Sequence, residues 1–224
     1  MNRGQVLYTE VWENKGPLLY FLNMWGIALH HDHGIYLLEL AALFVTALYM
    51  YKTALFFTHR WIALLSAVFC MLPLSVYLEG GNLCEEYALP FLCVALYYFV
   101  KFFYQEYRLH VVEMMIVGAC LGAVLLLRAN ILAFMGALIL MVIVVLIRDK
   151  LFRRLWQVFA WALIGCVLFI LPFFLYLVLN DALDACLNTA YFGIMDGYME
   201  IPKVERLQNI IAMFKLSLNS GMLY

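Results

Sequence analysis

Long apolar runs, each near the length that crosses a bilayer, decide what this chain can fold into. They cover Ile35–Phe57, Trp61–Leu78, Tyr87–Tyr104, Val111–Ile147 and Leu155–Leu179. A spanning helix needs about 20 mostly apolar residues. The 111–147 run is too long for one helix, and Arg128 and Asn130 fall near its middle, which predicts two short helices joined by a tight polar turn. Pro172 predicts a kink in the last of these runs. In lipid only helices and closed barrels satisfy their own backbone, and a barrel would show segments of about ten alternating residues. The fold class is therefore all-α, a polytopic transmembrane helical bundle. Hydrophobic residues make up 67% of the chain and charged ones 13%, against about 45–50% and about 25% in soluble domains. That balance excludes a soluble enzyme, a disordered tail and a small disulfide scaffold. The net charge of −1 points to no nucleic-acid partner.

No linker, repeat or low-complexity tract divides the chain, so 1–224 reads as one membrane domain. Residues 1–33 form an outer loop with an interfacial helix, and 34–179 hold about five transmembrane helices. Residues 180–209 form a second outer loop, and 210–224 begin a truncated helix. The sidedness follows from Lys and Arg in short connectors. Lys52 and Arg60, Lys101 and Arg108, and Arg148, Lys150, Arg153 and Arg154 fall in one set of loops, which is read as cytoplasmic. The other set, in a bacterial plasma membrane the extracytoplasmic one, contains the N-terminus, the acidic 79–86 loop and the 128–130 turn. Residues 1–16 carry no apolar leader, so the sequence reads as a fragment of a longer protein.

The polar residues gather on the extracytoplasmic side. Residues 17–29 are too short to span and suit an interfacial or re-entrant helix starting at Pro17. Trp12, Tyr20 and Trp25 stand where headgroup-level anchors occur. Lys15 is then held at phosphate level, where an ammonium either binds a phosphate or simply snorkels. In Glu79-Gly80-Gly81-Asn82-Leu83-Cys84-Glu85-Glu86-Tyr87 the glycine pair permits positive φ, and Asn82 with Glu85 has the spacing of a capping box. Glu85 and Glu86 either start a helix or serve as base, metal ligand or sugar-hydroxyl acceptor. Arg128 at membrane depth is a candidate for an anionic headgroup or for pairing with Glu85 or Glu86. Glu39, one turn into the first span, faces the same region in this reading. The His30-His31-Asp32-His33 run offers imidazoles to a metal. Cys84 and Cys186 lie in polar stretches and would pair only on an oxidising side.

Three stretches taken together resemble a family. Gly4-Gln5-Val6-Leu7-Tyr8-Thr9-Glu10 with Glu13-Asn14-Lys15-Gly16-Pro17-Leu18-Leu19-Tyr20-Phe21 is similar to the first outer loop of bacterial GT-C glycosyltransferases. That group includes protein O-mannosyltransferases and lipid A aminoarabinose transferases. Gly80-Gly81-Asn82-Leu83-Cys84-Glu85-Glu86-Tyr87-Ala88-Leu89-Pro90 and Leu127-Arg128-Ala129-Asn130 resemble two further motifs of one bacterial branch, in the same order. The resemblance implies a GT-C-like bundle and a polyprenyl-phosphate-linked sugar donor. It also implies a cell-envelope glycan, lipid or protein acceptor. Lys15 matches the family lysine that meets donor phosphate, with Tyr8, Asn82, Arg128 and Asn130 as further substrate-binding candidates. Glu10, Glu85 and Glu86 are the catalytic candidates. Glu10 stands where aspartate is common and Asn14 where histidine is common. The family's catalytic acid lies upstream of this loop, before Met1. No cofactor is assigned, and a divalent metal on the carboxylates stays open. The alternative is a non-catalytic membrane protein, either a lipid or polysaccharide transport component or a degenerate paralogue that binds lipid-linked sugar.

Overall fold

The computed structural model describes residues 6–8, 15–31, 33–74 and 81–192. Among these, every multi-residue element is a helix. Helix α1 spans Pro17–Leu29, α2 Gly34–Ala54, α3 Arg60–Met71, α4 Cys84–Tyr104 and α5 Val111–Leu127. A 3-10 turn at Ala129–Ile131 leads into α6, Leu132–Arg148. Helix α7 covers Phe152–Leu179 and continues through Pro172. A short α8, Leu183–Cys186, runs into a π turn, Leu187–Phe192. The stretches Gly34–Ala54, Cys84–Tyr104, Ala129–Arg148 and Phe152–Leu179 are long and apolar enough to cross a membrane.

The exterior fits that reading. Leu40, Phe44, Leu140, Val144, Leu163 and Leu168 are all exposed, whereas soluble proteins rarely show large contiguous apolar surface. The described part of the Trp61–Leu78 run departs from the expected span. Helix α3 is only 12 residues long and stops two residues before Pro73, whose ring and missing N–H end a helix. Residues 75–78 lie outside the described set.

Helix α5 forms the axis of the packing. It crosses α7 so closely that a Cβ at Gly118 would overlap the Ala162 carbonyl oxygen. Small residues at such a crossing let two backbones approach, the usual way helices associate in lipid. One core joins Leu18 and Leu19 of α1, Tyr87 and Ala88 of α4, Ala123, Leu126 and Leu127 of α5 and Phe173 of α7. This places α1 against the end of the bundle where α4 begins and α5 stops.

The two ends of the bundle hold different residues. Lys101 of α4 pairs with Glu113 of α5, Tyr107 reaches Asp149, and Phe56 packs on Tyr104 with ring centroids 5.1 Å apart. These contacts gather the connectors that carry Lys52, Arg60, Lys101, Arg108, Arg148 and Lys150 at one end, called here the Lys101 end. The opposite Arg128 end collects residues 6–8, Lys15, the 81–87 segment, the 128–130 turn and 180–192.

Candidate functional site

At the Arg128 end, the first segment is sewn to the tip of α5. The Gly16 N–H donates to the Leu127 carbonyl at 3.1 Å. A Cβ at Gly16 would overlap the Leu126 carbonyl oxygen, so only glycine permits this approach. Lys15 and Arg128 thus flank one backbone hydrogen bond. The Tyr8 hydroxyl donates to the Lys15 carbonyl at 2.5 Å, and Tyr8 packs edge-on against Tyr20. Burial pushes the Tyr8 hydroxyl's pKa well up, and Cys186 beside it adds to the effect. Burial does the same to Tyr191, whose hydroxyl donates to the Leu125 carbonyl at 3.0 Å, and to the Cys186 thiol. These are neutral groups that fasten loops. The Tyr8 hydroxyl thus fastens the backbone at Lys15.

Arg128 caps the C-terminus of α5 in extended conformation. Its guanidinium pairs with Glu85 in the first turn of α4. Each charge also suits its own helix end, an acid at the N-terminus and a base at the C-terminus. Both side chains are about half exposed, 46% for Arg128 and 49% for Glu85. An ion pair that wet contributes about 0.2–1 kcal/mol to stability and can be opened by a competing anion.

Behind this pair sits a drier group. Glu39 of α2 and Glu86 of α4 are buried, at 8% and 2% exposure. The Glu39 carboxylate accepts the Asn82 backbone N–H and lies within electrostatic range of Glu86. Gly81, at φ +93°, lies flat against Glu39, where a Cβ would stand 2.9 Å from one carboxylate oxygen. Tyr87 lies within range of both carboxylates. Glu86 Oε2, Asn82 Oδ1 and the Tyr87 hydroxyl are buried without a hydrogen-bond partner.

One local expectation is corrected here. Asn82 does not cap α4. The N-cap is Leu83, without a side-chain cap bond, while Asn82 takes the left-handed conformation at φ +59°. The capping box with Glu85 therefore does not form, because Glu85 turns to Arg128. Glu86, three residues after the N-cap, points into the protein.

The remaining candidates are dispersed. Asn130 is exposed in the 3-10 turn. Glu10, Asp32, Glu79 and Gly80 lie outside the described residues. His30 and His33 stack, and the His33 backbone N–H donates to His30 Nδ1 at 3.3 Å, which occupies one imidazole nitrogen. Among the described residues no three His, Cys, Asp or Glu side chains converge as a metal group. Cys84 and Cys186 are both buried and reduced, each within range of Tyr8. Two apolar cavities lie elsewhere. One of about 450 Å³ runs between α2 and α3, and one of about 190 Å³ lies among α4, α5, α6 and α7. Sequence reasoning missed Tyr87 as the third member of the acidic group. An aromatic in a helix carries no sign of what its hydroxyl faces.

No curated protein and no solved structure matches the chain. A family model does match, over residues 1–224, and its description is competence-induced protein Ccs4 N-terminal domain. The chain belongs to that family.

Proposed function

We propose that this protein is an integral membrane glycosyltransferase of the GT-C kind. It would move a sugar from a polyprenyl-phosphate donor to a cell-envelope glycan, lipid or protein acceptor. The Arg128 end would then lie on the extracytoplasmic face of the bacterial cell membrane, as the asymmetry of Lys and Arg implies. The observation that carries the reading is the docking of Gly16 on Leu127, which sets Lys15 beside Arg128 at the rim of an apolar bundle. Two cations at that level match a phosphate on a lipid tail.

The chemistry assigns the groups in turn. The acceptor hydroxyl attacks the anomeric carbon, the bond from that carbon to the phosphate oxygen breaks, and polyprenyl phosphate leaves with the electron pair. Lys15 and Arg128 stabilise the leaving phosphate. A phosphate bound to Arg128 displaces Glu85, and the released carboxylate takes the proton of the acceptor hydroxyl. Glu86 is too buried to reach that hydroxyl and supports the site from behind. A second reading, binding of lipid-linked sugar without turnover, is favoured by the same ion pair, since Glu85 is engaged with Arg128 in the resting protein.

The test uses the full chain in lipid nanodiscs, with polyprenyl phosphate and unphosphorylated polyprenol as probes. The phosphate form binds at least about tenfold tighter, and Lys15→Ala and Arg128→Ala each remove most of that preference. Equal binding of both probes, or full preference in both variants, overturns the reading. Release of polyprenyl phosphate from a sugar-loaded donor separates turnover from binding.

A further inference from the structure

The group behind the ion pair holds buried acceptors that no hydrogen bond fills. Glu39 receives one backbone N–H, from Asn82. Glu86 Oε2 and Asn82 Oδ1 receive none, and the Tyr87 hydroxyl has no partner. Among the described residues no basic side chain pairs with Glu39 or Glu86. A buried carboxylate left alone is costly, and two within range of each other cost more. One shared proton would serve one pair of oxygens and leave the amide oxygen unfilled. A small cation would serve all of them at once.

We propose that Glu39, Asn82 and Glu86, completed by the Tyr87 hydroxyl, form a site for a hard divalent cation of the Ca²⁺ or Mg²⁺ class. The donor set is all oxygen, carboxylate and amide and hydroxyl, which suits those ions and disfavours soft transition metals. Two carboxylates balance the charge. Tyr87 is an independent sign of a ligand, because it is 3% exposed, its hydroxyl is unpartnered and it lies within range of both carboxylates. Gly81 leaves its Cβ space to the Glu39 carboxylate and so keeps that side chain over the loop.

The cation would lie just inside the Arg128–Glu85 pair. It would thus add positive charge to the phosphate-binding end, and in that respect it deepens the sugar-lipid reading and rests on it. The binding itself is tested with metal alone, so that either idea can fail without the other. The full chain, purified in detergent and stripped with chelator, is titrated with Ca²⁺ and Mg²⁺ by calorimetry and with Tb³⁺ by sensitised emission. One saturable site is expected. Glu39→Gln and Glu86→Gln each weaken it by about tenfold or more, as loss of a charged ligand does. Asp184→Asn, an exposed acid at the same end, leaves it unchanged. Tyr87→Phe lowers the Tb³⁺ emission, because it removes a ligand oxygen together with the phenol that sensitises the ion. No saturable binding, or equal affinity in wild type, Glu39→Gln and Glu86→Gln with unchanged helical content, overturns the proposal.

Discussion

The two ends of the bundle treat their acids in opposite ways. At the Lys101 end, Glu113 is fully engaged. One oxygen takes Lys101 Nζ at 2.5 Å, and the other takes the His110 backbone N–H at 3.0 Å in a capping box. Asp149 likewise accepts from the Tyr107 hydroxyl at 2.9 Å and from Arg148 Nε at 3.1 Å. At the Arg128 end, Glu85 is paired, yet Glu86, Asn82 and Tyr87 each keep a buried atom without a partner. Both ends close helices of similar composition, so closing a helix does not explain the difference. Buried polar groups in native proteins are nearly all satisfied, and exceptions tend to mark function. The Lys101 end is therefore a clasp, and the Arg128 end is the one that leaves buried polar atoms unfilled.

The same substitution at the two ends sets them against each other. Glu113→Gln leaves Lys101 as a poorly paired ammonium in a site where the two side chains are 19% and 14% exposed. The expected loss is about 2 kcal/mol, below the range for fully buried pairs because some water remains. Glu86→Gln replaces a buried carboxylate whose Oε2 has no hydrogen-bond partner. In cation-free protein it is expected to raise stability by about 1 kcal/mol. Thermal unfolding of the detergent-solubilised chain reads both. If both variants fall by the same amount, the contrast between the ends is wrong.

Gly81→Ala sharpens the comparison at a smaller scale. The residue sits at φ +93°, and the added methyl would press on both Glu39 oxygens, at 2.9 and 3.0 Å. About 1–2 kcal/mol is expected from backbone strain alone. The combination Gly81→Ala with Glu39→Ala should recover the steric part and keep the strain. A double-mutant cycle measures the difference. Additivity would mean that the glycine does not make room for the carboxylate.

Much of the frame was legible from the residues. The break at Arg128 and Asn130 divides 111–147 because a charged residue does not sit in the middle of a span without a partner, and α5 and α6 end and begin around it. The start of α1 at Pro17 followed from the missing N–H. Pro73 carried the stop signal for α3, but the apolar run around it hid the signal. Pairing of Arg128 with Glu85 was one of the options that charge alone allowed, whereas the bond that brings Lys15 to them was not visible. That bond depends on Gly16 fitting against a helix end far along the chain. Asn82 was misread because capping rules are local. The left-handed turn at Asn82 and the contact between α2 and α4 decide which side chain faces inward. Glu39 was read, one turn into its span, as facing the same region, but its contact with Asn82 and its nearness to Glu86 come from packing between distant segments.

The smallest expected effect tests the clasp at its most exposed point. The hydroxyl of Tyr107 and the guanidinium of Arg148 hold the Asp149 carboxyl below its ordinary pKa. A carboxyl whose folded pKa is depressed contributes stability above its unfolded pKa and loses it as pH falls through the folded value. Tyr107→Phe removes the larger of the two causes and moves the folded value back up. The variant should therefore be slightly less stable than wild type at neutral pH. The gap should begin to close as pH drops below about 4, the ordinary carboxyl value, and vanish once pH falls past the depressed folded value. Unfolding midpoints from pH 7 to pH 3 read the trend. The absence of any gap at neutral pH would mean that Tyr107 acts through its ring packing on Phe102 and Phe103, which phenylalanine keeps. The clasp would then be an aromatic one, and the unpaired acids at the other end would have no charged counterpart in this loop to be measured against.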